Sequence, residues 1–412
     1  MNTHIRNLFL LPVLLTGVGF MLAGPVTAQT FTTLYSFSAF DPGSPNVNND
    51  GATPFGDLVI SSNTLYGTTL YGGSSGVGVV FAVNTDGTGF SALYSFSGGS
   101  GGKWPGNAGL VLSGSTLFGT TSGGGNGIGN LFAINTDGSG FTDLYDFSIE
   151  SWNAYSFETN SDGSGPNYLV LSGSTLYGTA FGGGIFGNGT VFTINTDGSG
   201  FTTLHNFGPP GVASPPNNKN TEGAYPSFGV IISGNTLYGT TTGGGNGGYG
   251  TVFKVNIDGT GFTTLYSGSA LYQTISLVLS GTTLYWRNGD VYAVNTDGSG
   301  FTTIYTGDTV WQTVSLILSG NTLYGAATQG GTAGHGTVFS FVLPPQLTLT
   351  PSGGNVVLTW PTNATGFTLQ STTNVGSSAV WTTNTPAPVI VNDQNVVTNS
   401  ISGAQQFFRL SQ

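Results

Sequence analysis

Short apolar triplets return along the chain, each followed by a turn and then a Leu-aromatic pair, and this beat predicts the fold. In the clearest copy, Leu110-Val111-Leu112 precede a Ser-Gly turn, and Thr116-Leu117-Phe118-Gly119-Thr120-Thr121 follow. A glycine-rich loop leads to Leu131-Phe132-Ala133-Ile134-Asn135. The turn Asn135-Thr136-Asp137-Gly138-Ser139-Gly140 then delivers the chain into Phe141 to Phe147. Each segment is short, β-branched or aromatic, and bounded by Gly, Asn, Asp or Ser, the pattern of strands joined by tight turns. Four strands per copy, a to d, predict one small antiparallel sheet, and the copy recurs six times.

The strand count does not close within the units. The a strands centre on Val59, Val111, Val170, Ile231, Val278 and Ile317. Only five c strands run on into a d strand, those starting at Phe90, Phe141, Phe201, Phe262 and Phe301, while the sixth passes into Leu343-Pro344-Pro345. A d-type strand, Phe31 to Phe37, stands alone ahead of the first unit. In a ring, that strand completes the last sheet and leaves only short, protected edges. The expectation is an all-β chain: a six-bladed β-propeller over residues 29–343, its last blade closed by residues 31–37. From 344 to 412 short strands such as Val356-Val357-Leu358-Thr359-Trp360 and Phe407-Phe408-Arg409-Leu410 predict a small β-sandwich.

The unit resembles the YWTD-type (low-density lipoprotein receptor class B) propeller repeat in its apolar a strand, Leu-Tyr b strand and c strand ending in Asn-x-Asp-Gly. The likeness is clearest from Leu284-Tyr285-Trp286 through Asn295-Thr296-Asp297-Gly298-Ser299-Gly300. The whole unit, from Phe31 to about Val342, is more closely similar to the GloVer tandem repeats of exported bacterial proteins, which carry various C-terminal anchors or sorting signals. That resemblance implies an exported repeat protein and brings no catalytic residues with it. Val357-Leu358-Thr359-Trp360-Pro361 and Gly366-Phe367-Thr368-Leu369 resemble the start of a fibronectin type III module, with a sorting or attachment module as the alternative.

Composition changes the picture in four places. Gly is 70 of 412 residues and charged residues are 6%, a bias that without the regular apolar triplets would mean low complexity. Residues 1–28 have a weakly basic start (His4, Arg6), an apolar stretch from Leu8 to Leu22 and the small residues Val26-Thr27-Ala28, which predict a cleaved signal peptide. The apolar stretch falls short of the ~20 residues a spanning helix needs, and no later segment is long or apolar enough to span a bilayer. Cysteine is absent, which removes thiolate metal sites and disulfides and fits a bacterial product held by packing alone. With Arg6 removed, five Lys and Arg (6 minus 1) face 17 Asp and Glu, a balance that argues against nucleic acid or anionic lipid. The expected location is secreted or at the surface of a bacterium, as a monomer with no membrane span after cleavage.

Strand order puts the a–b and c–d turns on one face and every long or glycine-rich loop on the other. The expected function follows from that second face: non-enzymatic binding of polysaccharide or a cell-surface protein. Aromatic side chains on its loops are the candidate contacts, namely Trp104, Trp152, Tyr155, Phe186, Tyr225, Tyr249 and Trp311, with His335 beside them. The alternatives are a polysaccharide hydrolase or lyase and a purely structural surface protein. For the hydrolase or lyase, acids would come from Asp41, Asp50, Glu150, Glu158, Asp162 or Glu222.

No cofactor is expected. The four Asn-Thr-Asp-Gly turns and the variant Asn256-Ile257-Asp258-Gly259 mimic the opening of a calcium loop, but only one of the five has an acid, Asp146, at the twelfth position. A tight hairpin asks for Asp-Gly by itself. The better calcium spacing is Asn46, Asn48 and Asp50 with Asp57 at the twelfth position, although Pro54 interrupts it. Its Gly-x-x-Pro ending recurs in variant form near Gly102 and Gly223, with no acid set expected there. The glycine-rich loops join strand to strand, whereas a phosphate loop opens a helix.

Overall fold

The computed structural model describes residues 31–105, 109–125, 127–148, 151–152, 158–208, 220–271, 277–287, 291–305, 315–319, 322–342, 347–362, 366–374, 379–384, 386–392, 394–400 and 406–411. The expected signal peptide (1–28), Glu150, Tyr155 and Trp311 lie outside the described residues, as does the expected domain boundary at 343 and 344. The described residues divide into two compact units, one of residues 33–317 with 325–339 and the other chiefly 340–412. The chain is all-β, and none of the described segments is a helix long and apolar enough to cross a membrane.

The repeats build antiparallel sheets in chain order. Val111–Ser113, Thr116–Thr121, Asn130–Asn135 and Thr142–Asp146 make one, each strand beside its sequence neighbour. The same order recurs from Val59–Ser61 to Ser91–Ser95, from Ser164–Ser172 to Thr202–Asn206, from Phe228–Ser233 to Thr263–Ser267 and from Leu277–Ser280 to Thr302–Tyr305. Phe31–Ser36, the lone strand, is hydrogen-bonded beside Thr337–Val342, whose sheet continues through Thr322–Ala327 and Ser315–Ser319. The Phe37 N–H prolongs that pairing by donating to Gly336 O at 3.2 Å.

The Leu-Tyr-Gly motif has a packing reason. A Cβ on Gly119 would stand 2.5 Å from Phe132 Cζ, and one on Gly178 would stand 2.6 Å from Phe192 Cζ. The missing side chain of one strand therefore admits the phenyl ring of the next. In the fifth unit Trp286 takes the glycine position, with Tyr292 in place of the phenylalanine. Trp286 is fully buried, and its Nε1–H donates to Ala270 O at 2.9 Å.

Sheets are joined by aromatic rings. Tyr35 stacks on Phe90 at 3.7 Å, Tyr94 on Phe141 at 3.8 Å, Tyr145 on Phe201 at 4.0 Å, His205 on Phe262 at 3.7 Å and Tyr266 on Phe301 at 4.0 Å. Phe37, Phe96, Phe147 and Phe207, all fully buried, meet Phe81, Phe132, Phe192 and Phe253 edge to face. A register shift recurs in five c–d pairs, for example between Asp143 and Tyr145. Such a bulge increases local twist and re-aims the residues beyond it, here the tyrosine or histidine that reaches the next sheet.

Two stretches expected as loop are strand. Ala52–Pro54 pairs with Thr64–Tyr71 through Ala52↔Tyr71 and Pro54↔Thr69, and Ser164 to Pro166 pairs likewise through Ser164↔Gly182 and Pro166↔Ala180. In the second and fourth units the same pairing shrinks to the bridges Lys103↔Gly123 and Ala224↔Gly243. A proline offers the ladder no N–H, so the pairing stays short around it.

In the second compact unit, Thr348–Ser352, Asn355–Pro361, Gln394–Ser400 and Val389–Val391 form one sheet, and Thr382–Thr383, Thr368–Thr372 and Phe407–Ser411 form another. Leu358, Trp360 and Val397 of the first sheet and Leu369 of the second share one hydrophobic cluster. The Asn384 and Asn399 side chains exchange hydrogen bonds at 3.2 and 2.8 Å beside it.

Candidate functional site

The Gly-x-x-Pro segments shape the loop face. Four are described, Gly51 to Pro54, Gly102 to Pro105, Gly163 to Pro166 and Gly223 to Pro226. The residue before each proline is left-handed: Thr53 at φ 57°, Trp104 at 59°, Gly165 at 61° and Tyr225 at 60°. Only glycine takes that region without strain. A threonine, tryptophan or tyrosine there costs on the order of 1–3 kcal/mol and persists where its surroundings over-determine it.

The surroundings do so. The Trp104 N–H donates to Val77 O at 2.8 Å, and Trp104 O accepts from Ser122 N and Oγ at 3.2 and 3.1 Å. Tyr225 repeats this with Asn188 O at 2.8 Å and with Thr242 N and Oγ1 at 3.1 and 3.0 Å. Gly165 donates to Ile128 O at 2.8 Å and Thr53 to His335 O at 2.7 Å. Each acceptor lies in the glycine-rich loop of the neighbouring repeat, and for Thr53 that neighbour is the last repeat. The following proline covers the next glycine, so a Cβ on Gly78, Gly129, Gly189 or Gly336 would meet Pro105, Pro166, Pro226 or Pro54 at under 3.0 Å.

Behind this joint sits a latch. Asp50 accepts Tyr35 OH at 2.8 Å and Ser38 N at 2.9 Å on Oδ2, and Ser38 Oγ at 2.5 Å on Oδ1. Asn48, also buried, donates to Ser38 O and Gly51 O and accepts from Gly51 N and Gly73 N at 2.9–3.2 Å. Asp162 and Asn160 repeat the arrangement with Tyr145 OH at 2.9 Å, Ser148, Gly163 and Gly184. In the fourth unit the pair is Asn220 and Glu222. Glu222 accepts Gly208 N at 2.8 Å and lies 3.3 Å from His205 Nε2. Near Gly223 the carboxylate of Glu222 does what aspartate does in the other units, with one more methylene. Burial and the aspartate partners hold the Tyr35 and Tyr145 phenols above their ordinary values. Burial pushes the His205 imidazole down, against the pull of Glu222.

The second unit has no latch acid, and Gly101 stands in its place with Tyr94 Oη 3.3 Å from its would-be Cβ. Fully buried Asn130 donates to Ser100 O at 3.2 Å and to Asp143 Oδ1 at 2.7 Å instead. Partial burial and the neighbouring Asp146 push the Asp143 carboxyl up to about 6, with the Asn130 hydrogen bond opposing.

In front of the joints the repeats leave a recess of about 420 Å³. Its apolar wall is Phe55, Phe181 and Phe228, and its polar wall is Ser122, Asn167 and Ser227. The lining contains no charged side chain. Phe181 is 46% exposed, and Tyr225 stacks on it with centroids 5.2 Å apart. Gly165, which has no side chain at the Trp104 and Tyr225 position, leaves the rest of the Phe181 ring open.

The expected contact residues separate accordingly. Tyr225 reaches the recess through Phe181, and Trp104 adjoins it through Ser122. Trp104 carries the Lys103 ammonium over its ring at 4.2 Å, which occupies one face. His335 belongs to the joint and packs on Phe40 at 4.1 Å. Tyr249, 46% exposed, and half-buried Phe186 lie in the glycine-rich loops, the latter beside exposed Ile185. Trp152 is described only as backbone, in a two-stranded ribbon with Glu158. Of the calcium candidates, Asn48 and Asp50 serve the latch, exposed Asn46 gives its carbonyl to Gly72 N, and Asp57 packs against Gly109. A cation at Asp50 would have to displace three donors. Three of the acids named for catalysis, Asp50, Asp162 and Glu222, are latch residues. Phe55, Phe181 and Phe228 were missed. Phe181 alone is detectable by alignment of the units, since it stands where others have Leu70, Ser122 and Thr242.

The repeat pattern matches a known family. Residues 17–215 match the model of the Gloeobacter/Verrucomicrobia repeat. The same strand order continues past the match to Thr337–Val342. No curated protein matches the chain. Among solved structures it is similar to a chain of the nidogen/laminin complex, at 15% identity over 62% of this chain and 79% of that one, TM-score 0.40. It is also similar to the computationally designed Ika8 protein (14%, 79% and 86%, TM-score 0.38) and to TolB from Acinetobacter baumannii (10%, 69% and 57%, TM-score 0.35).

Proposed function

We propose that this chain is an exported, non-enzymatic β-propeller whose repeats close into six blades and whose loop face binds polysaccharide or a cell-surface protein. Closure is supported by the joint between Thr53-Pro54 and His335-Gly336, which repeats the joints between successive units bond for bond. Residues 344–412 are read as a β-sandwich that holds or sorts the protein, supported by the hydrophobic cluster its two sheets share.

The observation that carries the binding reading is the uncharged recess whose wall carries exposed Phe181, itself stacked on half-buried Tyr225. Large rings left in water on a rigid scaffold mark a contact surface. The test is a titration of the chain without residues 1–28 against soluble polysaccharides and against intact bacterial cells, read by tryptophan fluorescence and co-sedimentation. Saturable binding without product release supports the reading. Product release would put a polysaccharide hydrolase or lyase in its place, and no binding to either target would leave a structural surface protein.

A further inference from the structure

We infer that the recess takes the end of a neutral saccharide chain, one or two sugar rings deep, rather than the middle of a strand of polysaccharide or a protein side chain. This rests on the binding reading above and narrows it to one ligand chemistry and one mode. The supporting feature is the juxtaposition of Phe181 and Phe228 with Ser122, Asn167 and Ser227 around one uncharged pit.

Size gives the first argument. About 420 Å³ lies toward the lower end of the ~300–1,000 Å³ that small-molecule sites span, room for a short saccharide and not for a continuous strand. The walls give the second. Phe55, Ser122, Phe181 and Phe228 come from four successive repeats, so rings and polar partners converge on one spot instead of following one strand.

Chemistry gives the third. A sugar ring has an apolar C–H face that stacks on a phenyl and a rim of hydroxyls that need partners. The polar wall supplies neutral partners already oriented. Ser122 Oγ donates to Trp104 O at 3.1 Å, which leaves its oxygen lone pairs to accept from a ligand hydroxyl, while Ser227 Oγ is held between Tyr225 O at 3.2 Å and Thr242 Oγ1 at 3.0 Å. Asn167, 7% exposed, is fixed by donating to Pro226 O at 2.7 Å. An ionic ligand would meet no counter-charge here and would lose its hydration, a heavy cost. Strain at Trp104 and Tyr225 fits this role, since the left-handed residues are what hold Ser122 and Ser227 in place.

The test uses the chain without residues 1–28 and three neutral series, the cello-, malto- and manno-oligosaccharides of three to six units, by calorimetry. End recognition predicts that one series binds with an affinity per chain that stays within about twofold from trimer to hexamer. Phe181→Ala should then weaken it about tenfold, while Phe181→Tyr retains it, and oligogalacturonate should not compete. Circular dichroism and an unchanged melting temperature show that the alanine variant is folded. Affinity that climbs steeply with length, or binding untouched by Phe181→Ala, overturns the end-binding inference but leaves the loop-face reading standing. Silence of all three series, with polysaccharide or cells still bound, does the same. Failure of every target overturns both.

Discussion

The backbone N–H of Thr53 donates to the carbonyl of His335 at 2.7 Å, although 282 positions (335 minus 53) separate them in the chain. Trp104 and Val77, Gly165 and Ile128, and Tyr225 and Asn188 make the same bond between consecutive repeats. A hydrogen bond that joins neighbours three times and the two ends of the array once is evidence that the first and last repeats are neighbours too.

Closure can be weighed against an internal joint. Gly336→Ala and Gly189→Ala place a methyl against Pro54 and Pro226 respectively, and both glycines are left-handed, at φ 107° and 93°. Each substitution should cost on the order of 1–3 kcal/mol. Equal losses by denaturant unfolding are expected. A Gly336→Ala variant as stable as the parent would mean that the closing joint is open in solution.

The latches should be individually costly. Asp162→Ala strands the Tyr145 hydroxyl and the Ser148 N–H and hydroxyl in a partly buried site, at a cost of about 1–3 kcal/mol. Tyr145→Phe removes one donor and should cost about 1 kcal/mol. Ranking the two by chemical denaturation tests whether the carboxylate, more than the phenol, organises the loop.

Trp286 makes a test of repeat consensus. Restoring glycine there brings the fifth unit into line with the others but empties a fully buried indole site that no phenylalanine can fill, since Tyr292 stands opposite. Trp286→Gly should lose upward of about 3 kcal/mol, measured by thermal unfolding. A neutral result would show that the fifth sheet repacks freely.

Two groups give opposed pH signatures. The Asp143 carboxyl, raised to about 6, binds its proton more tightly in the folded chain than in the unfolded one. Stability therefore rises as pH falls from about 6 toward the ordinary carboxylate range near 4. His205 is depressed by burial, so the unfolded chain binds that proton first, and stability falls as pH drops below the ordinary imidazole value. Melting curves of Asp143→Asn should lose the acid-side gain. Those of His205→Tyr should lose the acid-side penalty. Below both windows the hairpin aspartates, Asp86, Asp137, Asp197, Asp258 and Asp297, are held low by their Ser or Thr partners, and their protonation lowers stability again.

By itself the sequence determined what local chemistry determines. Strand, turn and repeat were legible because each is written within a few residues, as an apolar triplet, a Leu-Tyr-Gly, or an Asn-Thr-Asp-Gly whose aspartate accepts from the residue two positions on, as Asp137 does from Ser139 at 2.9 Å. The spare strand at Phe31 was legible by counting. Tertiary structure decided whatever needed two repeats at once. Asn48 and Asp50 look like metal ligands on spacing alone, and only the arrival of Tyr35 and Ser38 makes them a latch. Trp104 looks like the best platform by residue type, yet Lys103 occupies one face of it, while Phe181, stacked on Tyr225, keeps 46% of its surface exposed beside Gly165 on an adjoining strand. Exposure and partnership are properties of neighbours in space, and neighbours brought from four repeats leave no local trace.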